Sequence, residues 1–167
     1  MANVTLLFSI FLMFIGAASG STGGGIKVNT LGVLFALSRS RLRGEETTNI
    51  FRRTLTPASV GRAIAVFAVS VVVISIATMA LMASELGTTP HGESRGLFLE
   101  FLFEIVSAFG TVGLSVGVTR TLSTMGKVII ILVMFIGRLG PLSIALALSR
   151  RPSRARYRYA EENVMIG

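Results

Sequence analysis

The chain has 167 residues, of which 51% are hydrophobic and only 14% charged; with a mean hydropathy of +0.74 it is too apolar for an ordinary soluble domain and calls for lipid as solvent. A formal charge of +8 raises the question of nucleic acid, but the basic residues flank long uncharged stretches instead of lining an aromatic-studded polar face, so no nucleic-acid partner is expected. Cysteine and aspartate are absent and histidine occurs once, which excludes thiolate chemistry, disulfides and dense metal-ligand clusters.

Met1 to Ile26 carry no charge, so the basic start of a secretory signal is missing and cleavage is not expected; the chain reads instead as a piece of a longer protein. Val4 to Ala17 is an apolar run of roughly 20 Å if helical, too short for a full span. It enters Ala18-Ser19-Gly20-Ser21-Thr22-Gly23-Gly24-Gly25, which destroys helix propensity. Apolar character resumes after Lys27, so residues 1–38 are expected to form a transmembrane helix broken by loop 18–25, its bare backbone turned to protein or water. Residues 39–57, with Arg39, Arg41, Arg43, Arg52 and Arg53, form a basic linker that the positive-inside rule places in the cytoplasm.

Residues 58–149 read as one unit. The uncharged stretch within 61–84 matches the ~20 residues of a spanning helix, and the following loop, with Thr88, Pro90 and His91, has no basic excess and belongs outside. Leu97–Phe109 is apolar but short and holds Glu100 and Glu104, as a re-entrant segment would. An extended stretch, 110–115, precedes a last helix over 124–149, whose spanning part, Val128 to Ser149, holds a single charge, Arg138. The tail, 150–167, is basic again and is expected in the cytoplasm. The fold class is therefore all-α integral membrane: helix, re-entrant pore helix, filter strand and helix, preceded by a broken transmembrane helix.

That order is the layout of one potassium-channel pore unit. A bare potassium ion needs several oxygens in place of its water shell, and the backbone carbonyls of an extended strand can supply them. Gly110, Thr111, Val112, Gly113 and Leu114 are the candidate ion-binding residues: Gly113 can adopt dihedrals closed to other residues, and Thr111 can add a hydroxyl. The preceding helix would aim the negative end of its dipole at the cation. A Thr-Val-Gly triplet alone also marks ordinary turns; the short helix before it and the spanning helix after it favour the filter.

Phe103-Glu104 with Ser107-Ala108-Phe109-Gly110-Thr111-Val112-Gly113-Leu114-Ser115 resembles the fourth filter segment of the Trk/Ktr/HKT superfamily of potassium transporters. Met13-Phe14-Ile15-Gly16-Ala17, continuing through Gly20-Ser21-Thr22-Gly23-Gly24-Gly25-Ile26-Lys27, resembles the broken second helix of the third repeat. Met134-Phe135-Ile136-Gly137-Arg138-Leu139-Gly140-Pro141 resembles the last helix of the fourth. The family builds its pore from four repeats in one chain, so one filter strand cannot coordinate the ion alone.

The resemblance implies that Ser19, Gly20, Ser21, Thr22, Gly23, Gly24 and Gly25 form an intramembrane gate beneath the filter, with Arg138 as the gate-interacting residue. A carboxylate inside the re-entrant helix can bond filter-supporting amides or another repeat's cation, so Glu104 is expected as filter support ahead of a direct ion ligand. A glycine-rich kink for helix packing is the alternative for the loop, and a tie between neighbouring helices the alternative for Arg138. Lys27 either repels cations in the closed state or pairs within the bundle. The resemblance further implies K+ as transported ion, Na+ as a candidate for coupling, cytosolic nucleotide-binding regulatory subunits as partners, a homodimer in the full-length form and the plasma membrane as location. The expected function is that of a pore-forming subunit of potassium uptake. The alternative is a non-conducting membrane protein acting in assembly. A membrane enzyme is not supported, because Ser, Glu and the lone His never share catalytic spacing.

Overall fold

The computed structural model describes residues 2–18, 20–45, 47–50, 53–87 and 96–140. Five α-helices carry the fold: α1 (Asn3–Phe14), α2 (Val28–Leu42), α3 (Pro57–Leu86), α4 (Leu97–Gly110) and α5 (Thr124–Leu139). Two short strands, β1 (Asn49–Ile50) and β2 (Arg53–Thr54), pair antiparallel, with Asn49 opposite Thr54 and Ile50 opposite Arg53. Part of the expected linker is thus a small hairpin, fastened by the Thr54 hydroxyl donating to Asn49 Oδ1 at 2.9 Å.

Local chemistry sets the helix ends. Thr56 caps α3 by accepting from the Ser59 amide, and Pro57, which has no N–H to satisfy, opens the first turn. The helix consequently starts before the expected residue 61 and runs to Leu86, where Gly87 takes a φ of 51°. Its length is about 45 Å at 1.5 Å per residue. Among the described residues it is the one helix long and apolar enough to cross a membrane, with mean hydropathy 2.7 over a window only 28% buried. Most of that apolar surface, including Val72, Ile76 and Met79, faces outward.

α2 continues through Leu42, so Arg39 and Arg41 belong to its last turn and not to the linker; cations there face the negative end of the helix dipole. α5 begins at Thr124 behind the Ser123 cap, whose hydroxyl accepts from the Gly126 amide at 3.1 Å. That hydroxyl donates in turn to Glu85 Oε1 at 2.6 Å, tying the end of α3 to the start of α5. Residues 141–149 of the expected last helix, and the whole tail from 150, lie outside the described residues.

The core gathers around α4. Phe101 and every residue from Phe103 to Gly110 are buried, and the helix packs on α1, α3 and α5. Leu6, Ile10 and Met13 of α1, Ile74, Ala77 and Leu81 of α3, and Ile130 and Val133 of α5 close over it. Between α1 and α2 the chain is not helical: Ile15 forms a parallel bridge with Ile26, and the Val28 amide donates to the Ala17 carbonyl at 3.3 Å. The chain between them leaves and returns to nearly the same place.

Backbones approach closely where α4 ends. A Cβ on Gly137 would land on the Phe109 carbonyl, and one on Gly110 would come within 3.0 Å of the Met13 carbonyl. Neither neighbour is a flexible side chain that can move aside. Gly137→Ala is therefore expected to lower the thermal unfolding midpoint in detergent, by the equivalent of about 1–3 kcal/mol or more. Gly32→Ala, in α2 with nothing within 4 Å of its added Cβ, is expected to leave it unchanged or raise it.

Candidate functional site

Segment 110–115 departs from its expected bounds at one end. Gly110 is the last residue of α4, and the helix is capped by Thr111 at φ 52° and ψ 38°. Thr111 is the one described non-glycine residue with positive φ; Gly113 follows at 81°, while Val112 and Leu114 keep negative φ. In an ordinary strand successive carbonyls point to opposite sides. Alternating the sign of φ turns successive carbonyls toward one side instead. The left-handed region is costly for a β-branched residue, so the tertiary surroundings must hold Thr111 there.

Two α4 residues one turn apart hold residues 112–119 in place. Glu104 is 4% exposed, and its carboxylate accepts from the Ser115 hydroxyl at 2.6 Å and the Val116 amide at 3.0 Å through Oε1, and from the Thr119 hydroxyl at 2.6 Å through Oε2. Three donors on one carboxylate meet the requirement that a buried acidic group be fully hydrogen-bonded. Ser107 accepts from the Val112 amide at 3.0 Å through its carbonyl and donates its hydroxyl to the Leu114 carbonyl at 2.5 Å. The Leu114 carbonyl is thus bound to α4, whereas among the described residues no donor meets the carbonyls of Thr111, Val112 or Gly113.

The glycine-rich loop lies against the same helix end. The Gly24 amide donates to Thr111 Oγ1 at 2.8 Å, and the Gly25 amide to the Gly137 carbonyl at 3.3 Å. A Cβ on Gly24 would come within 2.9 Å of the Phe109 carbonyl and of Thr111 Cγ2, and within 3.0 Å of the Gly137 carbonyl, so only glycine fits. The Arg138 guanidinium donates to the Thr22 carbonyl. Lys27 Nζ donates to the Gly23 carbonyl at 2.6 Å and the Ser21 carbonyl at 3.2 Å. Among the described residues Lys27 has no ion-pair partner; it binds the loop's own carbonyls. Three consecutive loop carbonyls are bound by fixed cationic groups.

The structure brings Thr111, Gly24, Gly25, Thr22 and Arg138 together, with Glu104 behind the segment. Gly20 stands apart, with nothing within 4 Å of an added Cβ. Ser19 lies outside the described residues. Sequence reasoning assigns no role of this kind to Ser107, Thr119 or Gly137. The signal for Gly137 is nonetheless present: a glycine inside an apolar helical run points to a close backbone approach.

The sequence pattern of the TrkH family, described as a cation transport protein, matches residues 1–159. The chain belongs to the TrkH family. Over its full length it is 39% identical to the potassium/sodium uptake protein NtpJ of Enterococcus hirae and 38% identical to the Ktr system potassium uptake protein D of Bacillus subtilis. It is 41% identical over 97% of its length to the Ktr system potassium uptake protein B of Vibrio alginolyticus. The chain covers 36%, 35% and 33% of these relatives, respectively, so it spans about a third of their length. TrkH proteins are transporters integral to the membrane, not enzymes, which accords with the outward apolar surface of α3.

Among the described residues of this TrkH segment Glu104 is the side chain whose loss leaves the most donors unmatched. Glu104→Ala is expected to destabilise the protein by about 2–4 kcal/mol: three donors lose their acceptor, and because their residues are half-buried or exposed and can turn to water, each loss stays near or below the low end of the roughly 1–3 kcal/mol cost of an unsatisfied buried donor. Glu104→Gln, which keeps one acceptor oxygen in place, is expected to lose less than half of that. Thermal unfolding of both variants in detergent checks the order.

Proposed function

We propose that the chain supplies one filter strand and the gate of a potassium uptake pore, completed by further repeats of a longer protein. The observation that carries this reading is the hydrogen bond from Gly24 to Thr111 Oγ1, which joins the glycine-rich loop to the first residue of a segment with alternating φ. A loop in that position obstructs the inner end of an ion path running along the Thr111, Val112 and Gly113 carbonyls. α4 acts as the re-entrant pore helix, its negative dipole end directed at the cation. Gly110 closes that helix and fixes where the strand begins, and Glu104 supports the strand from behind.

Gating follows from the same contacts. Arg138 and Lys27 hold the carbonyls of residues 21–23, and opening requires those bonds to exchange for others. The charge of Arg138, costly within a membrane, is compensated by facing this polar loop instead of lipid. K+ is the transported ion, with Na+ as a candidate for coupling; the names of the relatives, uptake proteins for potassium or potassium and sodium, support this assignment. The basic sequence of the linker and tail supports a cytoplasmic carboxy-terminus in a plasma-membrane protein. There cytosolic nucleotide-binding regulatory subunits dock on a homodimer.

The test is rescue of growth at low potassium in an uptake-deficient bacterium. An upstream-extended form is expected to rescue and the present chain alone is not; Gly113→Ser in the extended form is expected to abolish rescue or relax K+ over Na+ selectivity. If the extended form reaches the membrane and fails to rescue, the transport reading falls and an assembly role takes its place. Arg138→Ala is expected to raise K+ flux in the absence of regulatory subunits. The closed-to-open ratio should fall about tenfold or more, the worth of a charge-assisted hydrogen bond of roughly 1.5–3 kcal/mol. A flux assay in proteoliposomes reads it directly.

A further inference from the structure

Ser107 grips the candidate filter strand at two points. Its carbonyl receives the Val112 amide at 3.0 Å and its hydroxyl donates to the Leu114 carbonyl at 2.5 Å. Residues 112–114 are thereby bracketed against α4 by one residue that is itself only 3% exposed. The consequences for the three carbonyls before Leu114 and for Leu114 itself are opposite. Among the described residues no donor meets the Thr111, Val112 or Gly113 carbonyls, and those residues are half-buried or exposed. Leu114 has its oxygen turned in toward the helix and its apolar side chain turned out, 55% exposed. Past Leu114 the inward hold continues through Glu104, which receives Ser115, Val116 and Thr119.

We propose that Ser107 is the residue that ends the ion-coordinating run of this strand, withdrawing the Leu114 carbonyl from the ion path. This rests on the filter reading above. A cation moving along the strand meets the oxygens of Thr111, Val112 and Gly113 and then finds, at the next level, a carbonyl already occupied by a hydroxyl. At that level water must complete the ion's shell. Discrimination between K+ and Na+ depends on the number and field of the protein oxygens that replace hydration, so removing one lowers both affinity and selectivity at the outer mouth. Ser107 is a positioning residue: it touches the strand and not the ion.

The expected effect of Ser107→Ala in the upstream-extended protein is a lower KM for K+ uptake, by about two- to tenfold, the range set by one ordinary hydrogen bond. K+ over Na+ selectivity should rise with it, because the freed Leu114 carbonyl turns to the ion path. Ser107→Thr, which keeps the hydroxyl, should behave as the parent. A purely structural role would instead lower the amount of folded protein and leave KM and selectivity in place. The second measurement needs no variant: a map of the unmutated extended protein in rubidium should show ion density along Thr111 to Gly113 and none in contact with the Leu114 carbonyl oxygen. Density on that oxygen, or a Ser107→Ala protein with parental KM and selectivity, overturns the assignment. If the parent transports and Gly113→Ser destroys its selectivity while Ser107→Ala is silent, only the role of Ser107 falls. If the parent shows neither transport nor ion density along Thr111 to Gly113, the filter reading falls and takes this assignment with it.

Discussion

Close contact between three stretches of backbone at the end of α4 governs the rest of the structure. Gly137 of α5 lies on the Phe109 carbonyl, Gly110 on the Met13 carbonyl, and Gly24 of the loop fits among Phe109, Thr111 and Gly137. Side chains at these positions would hold the segments apart by the width of a methyl group or more. The loop amides of Gly24 and Gly25 would then lose Thr111 Oγ1 and the Gly137 carbonyl as acceptors. Such contact is the membrane-protein solution to packing without a strong hydrophobic drive between helices: small residues bring backbones together so that dispersion and polar contacts can act.

A second constraint works from the opposite side of the strand. The irregular segment after Thr111 has no partner strand among the described residues, and its amides and hydroxyls turn to α4. Glu104 and Ser107, one helical turn apart, receive Ser115, Val116, Thr119 and Val112 between them. This arrangement leaves the helix almost entirely apolar on its other faces, where α1, α3 and α5 pack. A single polar stripe on a buried helix therefore fixes a conformation that the strand has no means to hold by itself.

The sequence makes some of this legible and conceals the rest for identifiable reasons. α3 is readable because an uncharged run of that length has few soluble uses, and its true start at Pro57 lies in the Thr56 cap just before it. Glu104 is readable as a supporting group because a carboxylate in an apolar helix must find donors. Ser107 is not, since a serine in a helix commonly satisfies itself on its own backbone, as Ser70 does on Val66. The direction of the Leu114 carbonyl cannot be read at all, because side-chain identity does not encode which way a peptide plane faces. The hairpin at 49–54 escapes because two-residue strands leave no periodicity. Lys27 can be placed beside the loop, but its choice of carbonyls over a carboxylate depends on the loop's curvature.

The parallel bridge between Ile15 and Ile26 has a thermodynamic consequence of its own. It ties the two ends of the glycine-rich excursion together, so the entropy of closing that loop is already spent in holding the end of α1 beside the start of α2. Rearranging the residues between the tied ends need not break that bridge, but the polar bonds on residues 21–25 must exchange and Gly24 must leave its fit against Phe109, Thr111 and Gly137. Because closure entropy grows only with the logarithm of loop length, this excursion can change in length at small cost to the helices. That freedom belongs to the part of the excursion away from Gly24, which stays fitted against Phe109, Thr111 and Gly137.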